Sequence, residues 1–312
     1  MQVFDAPATA AALPFERLIP ALRARFASGC SVPPRHVHEI ANPDGPGVTS
    51  LIMPAWVPGR CYGVKVINIA PANVLRGLPG LHATYLLHDA TTGVVLAVID
   101  GDQLTARRTV AASALAASWL AREDARHLVV VGAGRLARLL PSAHATVRPI
   151  KRVTVWARSF DKAQALARAW CEQGIAAQAT AELEAAVRAA DIVSCATLAC
   201  EPLVRGRWLR PGSHLDLIGS FTPTMREADD DCFRAAAIYL DSDEALRKSG
   251  DLLGPMARGV FGATNMRGTL AALARGEASG RRTADERTVF KSVGTALEDL
   301  AAAMLVIDGQ AG

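Results

Sequence analysis

The segment His127–Arg138, HLVVVGAGRLAR, constrains the fold of this chain more than any other. An apolar run, Leu128 to Val131, passes directly into Gly132-Ala133-Gly134, and helix-compatible residues follow. A short continuous apolar run closed by glycines is the pattern of a strand buried on both faces of a parallel sheet. Gly132 permits a sharp turn. Gly134 lets backbone N–H groups approach an anion at the positive end of the next helix, and Ala137 lets that helix lie close on the strand. Gly132–Ala137, with Ala133, Arg135 and Leu136 between, fits the G-x-G-x-x-[GA] pattern. Alone, the pattern also suits a purely structural turn. A preceding strand, a following helix and another strand about 20 residues on predict a dinucleotide loop, with a structural turn as the alternative.

The surrounding chain alternates in the same sense. A helix is expected over 110–121, capped by Thr105 or Thr109, and the strand 128–131 leads to a helix over 135–147. Strand 153–156, helix 160–173, a short strand at 176–179, helix 181–189 and strands at 191–195, 214–218 and 237–240 follow. This predicts a doubly wound parallel sheet. Residues 1–60 are proline-rich and read as irregular. CYGVKVINIAP then suggests a strand, and ATYLLHDATTGVVLAVIDG a hairpin about Asp89–Gly93, so the first region reads as α+β. Apolar residues at 293, 297, 300, 304 and 305 predict an amphipathic helix that returns to that region. The expected organisation is a first domain of residues 1–118, completed by 290–312, and a dinucleotide-binding domain of 119–289.

Composition narrows the function. With 34 basic and 30 acidic residues and a net charge of +4, the chain has no Lys/Arg block, so no nucleic-acid partner is expected. No apolar run reaches the ~18 to 20 residues of a membrane helix. The N-terminus lacks the marks of a signal peptide, and the six dispersed cysteines suit free thiols in the cytoplasm. No metal site is expected. After the strand 153–156 come Ala157, Arg158 and Ser159, with no acid until Asp161. An Arg and a hydroxyl suit a ribose 2′-phosphate, which favours NADPH with NADH possible; the alternative is that Arg158 is a solvated surface residue. Arg35, Lys65 and Arg108 could each be surface charges or parts of an anion site. Lys65 stands out because it alternates with Val64 and Val66 on a strand.

The segments MPAW, GVKVINIAPAN, GDQLTARRTVAASALAA, VVVGAGRLA, DLIGSFTPTMREADD and VFKSVGTALEDLAAA resemble, in kind and order, those of the ornithine cyclodeaminase/mu-crystallin family. The resemblance spans nearly the whole chain. It implies a homodimer with a Rossmann-type domain and a substrate-binding and dimerisation domain. It also implies that Arg35, Lys65 and Arg108 hold a substrate carboxylate. Arginine offers that group two parallel hydrogen bonds, and a desolvated lysine can exchange protons. Ornithine cyclodeaminases carry an Asp in a GGDxPGKxE turn. Here the turn is Gly219–Glu227, with Phe221 at the Asp position and Met225 at the Lys position. A phenyl ring cannot pair with an ammonium group, whereas an apolar wall suits the methylenes of a cyclic imine.

The expected activity is therefore NAD(P)H-dependent reduction of Δ1-pyrroline-2-carboxylate or Δ1-piperideine-2-carboxylate to proline or pipecolate, with Lys65 as the catalytic residue and Phe221 against the substrate. Thr109 and Ser113 are expected beside cofactor phosphate, and Lys291 and Ser292 on the nicotinamide side, where Val293 and Gly294 allow close approach. Arg226 and Glu227 are expected to pair at the surface. The alternatives are an ornithine cyclodeaminase, an alanine-type dehydrogenase, and a crystallin-like protein that binds NADPH without turnover.

Overall fold

The computed structural model describes residues 1–43 and 45–309, apart from the side chain of Ala263. The first elements are β1 (Gln2–Phe4), α1 (Ala6–Ala12), α2 (Phe15–Ser28), β2 (His36–Asn42), β3 (Gly45–Val57), β4 (Cys61–Ile69), β5 (Leu81–Asp89), β6 (Val95–Asp100) and α3 (Gly101–Leu120). Next come β7 (His127–Val131), α4 (Leu140–Val147), β8 (Arg152–Trp156), α5 (Phe160–Glu172), β9 (Ala177–Ala179), α6 (Leu183–Ala189), β10 (Ile192–Cys195), β11 (His214–Leu217) and β12 (Ala237–Leu240). The chain continues with α7 (Ala245–Lys248), α8 (Gly250–Ala257), β13 (Met266–Thr269), α9 (Leu270–Ala274), β14 (Thr288–Lys291) and α10 (Ala296–Asp308).

Two compact units result. Unit one is Met1–Arg108 with the chain from Thr295 onward, and unit two is Thr109–Gly294. The division falls inside α3, between Arg108 and Thr109, and not at 118/119. The helix is also longer than expected: the Asp100 carboxylate accepts the Gln103 N–H at 2.7 Å, so the cap is Asp100 and not Thr105 or Thr109. The return to unit one comes at Thr295 and not at 290. Residues 310–312 of the expected returning segment lie outside the described residues.

Unit one holds a six-stranded sheet in the order β1-β6-β5-β4-β3-β2, antiparallel except for β1 on β6. Period-2 alternation sends Met53, Ala55, Lys65, Ile67, Tyr85, Leu87, Ala97 and Ile99 to a buried face. Helix α10 packs on α2 and on β3, β4 and β5. Residues 1–60 are thus regular, contrary to the expectation from their prolines. Pro14 is the N-cap residue of α2, whose Leu18, Ile19, Leu22 and Phe26 form one apolar stripe. Pro54 costs β3 no ladder bond. Trp56 donates to the Ser31 carbonyl on the β2 side, so Pro54, two residues earlier, faces that side too, beyond the last β2 pair, His36–Ile52.

Unit two is an eight-stranded, wholly parallel sheet in the order β13-β12-β14-β11-β10-β7-β8-β9. All five residues of β7 are buried, as a strand at the centre of such a sheet requires. The chain order reverses between β7 and β10, the switch point beside which a doubly wound sheet binds its ligand. Two strands, β13 and β14, were not anticipated. The four residues TVFK of β14 are buried throughout and merge by sequence with the apolar returning helix. The helix expected from 135 begins as α4 only at Leu140, after a 3-10 turn over Ala137–Leu139. Pro141 sits in its first turn, where a missing N–H costs nothing. Among the described residues no helix is long and apolar enough to cross a membrane.

Burial of neutral histidine makes this unit acid-sensitive. His144 of α4 is fully buried, with Nδ1 3.0 Å from the Leu140 carbonyl, and burial pushes its pKa from 6.5 down to about 4. The folded pKa lies below the unfolded one, so the contribution to stability is complete above about pH 6.5 and is lost as pH falls toward 4. From the linkage relation the loss by pH 4.5 is on the order of 2–3 kcal/mol. Urea midpoints at pH 7.5 and 4.5 measure it, and a His144→Gln variant is expected to show a smaller difference between the two.

Candidate functional site

In unit one, β4 presents Lys65 to the buried face, between Met53 of β3 and Tyr85 of β5. Helix α10 brings Glu298 and Asp299 to the same place, and the first half of α3 brings Arg108. Lys65 Nζ lies 2.6 Å from Asp299 Oδ2, and Arg108 Nε lies 2.8 Å from Asp299 Oδ1. Arg108 Nη1 also pairs with Glu298 Oε2. Two cations therefore face two carboxylates, all almost wholly out of water. Burial lowers the Lys65 pKa to about 8, assisted by the Arg108 charge and opposed by Asp299. Burial likewise drives the Tyr85 phenol well above its ordinary value, with Asp299 adding to it. Arg35 is half-buried and immediately precedes β2. His36 pairs with Ile52, and the chain before it pairs again only at Ser31, with Trp56, so Arg35 lies in the segment between these two points.

The fold thus brings together two of the three basic residues singled out in the sequence, Lys65 and Arg108, and adds two residues that sequence reasoning missed. Glu298 and Asp299 carry a signal of their own: adjacent acids in the middle of an otherwise apolar helix, ALEDLAAAMLVID. Charges at such positions are rarely buried unless paired.

In unit two, the residues of interest lie at the carboxyl ends of the strands. Gly132 has φ +117°, and a Cβ there would stand 2.7 Å from the Ala196 carbonyl oxygen, so the turn and the neighbouring loop both require glycine. At Gly134 a Cβ would meet no protein atom within 4 Å. Its need for glycine is therefore not internal, and the open backbone there fits a cofactor phosphate. Ala133 and Leu136 are half-buried, Arg135 is exposed, and Ala137 is fully buried against the sheet. Arg158 and Ser159 are exposed beyond β8, and Ser159 Oγ caps α5 by accepting the Lys162 N–H at 3.4 Å. Thr109 is half-buried on α3. Phe221 is 43% exposed in the loop after β11.

Three expectations are corrected. Ser113, expected beside cofactor phosphate, is fully buried inside unit two. Lys291 and Ser292 are buried as well: Lys291 Nζ donates to the Leu217 carbonyl at 3.0 Å and lies 3.8 Å from Asp251 Oδ2, while the Ser292 N–H donates to the same carbonyl at 3.2 Å. They brace β14 against β11. Arg226 and Glu227 do not pair at the surface. Arg226 turns to Asp230 at 2.9 Å, and Glu227 is fully buried. Its Oε1 accepts from the Thr197 N–H (2.7 Å) and hydroxyl (2.8 Å), and its Oε2 from the Gly219 N–H (2.7 Å). Asp241, also missed, accepts the Val293 and Gly294 N–H groups at 2.8 and 2.6 Å and so holds the loop after β14.

The ornithine cyclodeaminase/mu-crystallin family model matches residues 15–312. The chain belongs to this family. Among family relatives it is similar to the Δ1-pyrroline-2-carboxylate reductase of Paracoccus denitrificans, 43% identical over 271 residues that cover 86% of this chain and 85% of that one. The Δ1-pyrroline-2-carboxylate reductase of Thermococcus litoralis, solved with NADH and L-proline, superposes with a TM-score of 0.92 at 32% identity, covering 99% of this chain and 97% of that one. An archaeal alanine dehydrogenase dimer with bound NAD superposes with a TM-score of 0.90 at 26% identity, covering 99% and 95%. The ornithine cyclodeaminase/mu-crystallin fold, a Rossmann-type sheet with an α+β companion, is therefore the fold of this chain.

Proposed function

We propose that the protein is a nicotinamide-dependent reductase of a cyclic 2-imino acid, converting Δ1-pyrroline-2-carboxylate or Δ1-piperideine-2-carboxylate to proline or pipecolate. The observation that carries this reading is the buried Lys65–Arg108 cluster, in a family member whose 219–227 turn holds Phe221 where an ornithine-handling acid would stand. Arg35 offers a carboxylate paired N–H donors, Arg108 adds positive charge from a fork held by Asp299 and Glu298, and Lys65 adds a compact charge. With a pKa of about 8, Lys65 is protonated at neutral pH yet able to release its proton, which suits it to donate to the imine nitrogen. Phe221 supplies apolar surface for ring methylenes.

The Gly132–Ala137 loop, including Ala133, Gly134, Arg135 and Leu136, would hold the cofactor pyrophosphate, with Thr109 contributing a hydroxyl. Arg158 and Ser159 would hold the adenosine ribose phosphate, which favours NADPH and leaves NADH usable. Lys291 and Ser292 act behind the nicotinamide side by bracing the strand ends. The bound nicotinamide supplies the hydride. We further infer a cytoplasmic homodimer. Ile52, Trp56, Val64, Val66 and Leu86 lie half-buried on the sheet face of unit one opposite Lys65, an apolar surface suited to a second copy.

The test is cofactor oxidation with each ketimine, beside ornithine. Consumption of NADPH or NADH with a ketimine supports the reductase. Ammonia release from ornithine without net cofactor change would replace this reading with a lyase. Arg158→Asp is expected to weaken NADPH by at least about tenfold while changing NADH less than about twofold, since only NADPH carries the phosphate that Arg would pair with. Equal effects in a titration of the two cofactors would remove the phosphate assignment.

A further inference from the structure

The loops that follow β10 and β11 have no regular structure, so their N–H groups need acceptors from elsewhere. A single buried carboxylate supplies one to each loop. One oxygen of Glu227 takes the Thr197 N–H and hydroxyl from the loop after β10, and the other takes the Gly219 N–H from the loop after β11. The backbone of Glu227 is itself fixed: Asp251 Oδ1 of α8 accepts the N–H groups of Glu227 and Ala228 at 2.9 and 3.1 Å. There is no slack, because a Cβ at Gly219 would collide with the Thr197 carbonyl and the Glu227 carboxylate.

The two loops have a definite place in the sheet. Strands β7, β8 and β9 form one half, with the glycine loop at the end of β7, and β10 and β11 begin the other. A dinucleotide bound across the switch point lays its pyrophosphate on the glycine loop and its two ends over the two halves. Arg158, after β8, marks the adenosine half. The loops after β10 and β11 therefore underlie the nicotinamide half.

We propose that Glu227 is a positioning residue for the nicotinamide end of the cofactor, locking these two loops to each other so that they form one fixed floor. This rests on the reading that the chain binds a nicotinamide dinucleotide. An ionised carboxylate is the group the geometry calls for, since an amide would turn an N–H₂ toward one of the loop N–H donors and release that loop. The groups facing Glu227 are Asp251 on α8, Lys291 on β14 and Cys195 on β10. Burial pushes its pKa up to about 7, with Asp251 adding and Lys291 and Thr197 opposing, so the lock weakens on mild acidification.

The experiment compares Kd values of NADH and of ADP-ribose, which lacks the nicotinamide, for the full-length protein and for Glu227→Gln. The expected result is a loss of about tenfold or more for NADH and less than about twofold for ADP-ribose. The unaltered protein should bind NADH more weakly at pH 6 than at pH 8, and Glu227→Gln should be nearly flat between them. Equal losses for both ligands, no loss for either, or an unchanged pH dependence in the variant would overturn the proposal. Should Glu227→Gln not fold, Thr197→Val, which removes one hydroxyl donor and keeps both backbone donors, is expected to weaken NADH about two- to fivefold and selectively; a folded Thr197→Val with unchanged NADH affinity would overturn it equally. Should the unaltered protein bind NADPH and not NADH, the same comparison is made with NADPH and 2′-phospho-ADP-ribose; failure to bind either dinucleotide would instead remove the underlying cofactor reading, and the proposal with it.

Discussion

Lys65→Met is expected to lower kcat/KM for a cyclic ketimine by about 10²- to 10⁴-fold, the range for loss of a positioned proton donor, while leaving NADH affinity within about twofold. Methionine is the replacement of choice because it keeps the unbranched stem that threads between Met53 and Tyr85 and removes only the charge. The same assignment fixes a pH dependence. Burial holds the Lys65 pKa at about 8, and protonated lysine is the form that donates, so kcat/KM should fall as pH rises through about 8. Asn in place of Asp299 removes the carboxylate that props this pKa up, and the falling limb should then move to lower pH. A Lys65→Met enzyme that reduces ketimine at the unaltered rate would remove Lys65 from the chemistry, and an unmoved limb in Asp299→Asn would remove the coupling.

Asp299 is also where the largest loss of stability is expected. Its two oxygens serve Lys65 and Arg108 separately, and all three side chains are buried. Asp299→Ala leaves two buried cations facing Glu298 alone, and breaking a buried pair in this way costs about 3–5 kcal/mol. Urea unfolding of the full-length protein reports it, with Asp243→Asn, at an exposed position of unit two, as the control. The penalty is a property of the pair and not of aspartate, so the double variant Lys65→Met with Asp299→Leu should recover a substantial part of the lost stability. No recovery in the double variant would mean that the loss comes from packing of α10 and not from uncompensated charge.

What the sequence disclosed depended on whether a residue's partners were close along the chain. β7 and its glycine turn were legible because strand, turn and helix follow one another directly along the chain. The basic residues Lys65 and Arg108 stood out against apolar or motif-like surroundings. Their acidic partners did not: Glu298 lies 190 residues from Arg108, and helical periodicity alone places it on a face without saying what covers that face. Glu227 was misread for the related reason that its neighbour Arg226 offered an obvious partner, while its real donors are thirty residues back and across a turn. The prolines of the first 60 residues misled because a proline's effect depends on which way its nitrogen faces, and only the finished sheet determines that for Pro54.

The two glycines of the turn after β7 answer to different masters. Position 132 is pressed by the chain's own carbonyl at 196, whereas position 134 is bounded by nothing the polypeptide supplies. A library varied through this turn and sorted for protein abundance would therefore register 132 and pass over 134; sorted for growth on the reaction, it would register both. Foldability and ligand capacity, usually entangled in a glycine motif, are here separable two residues apart.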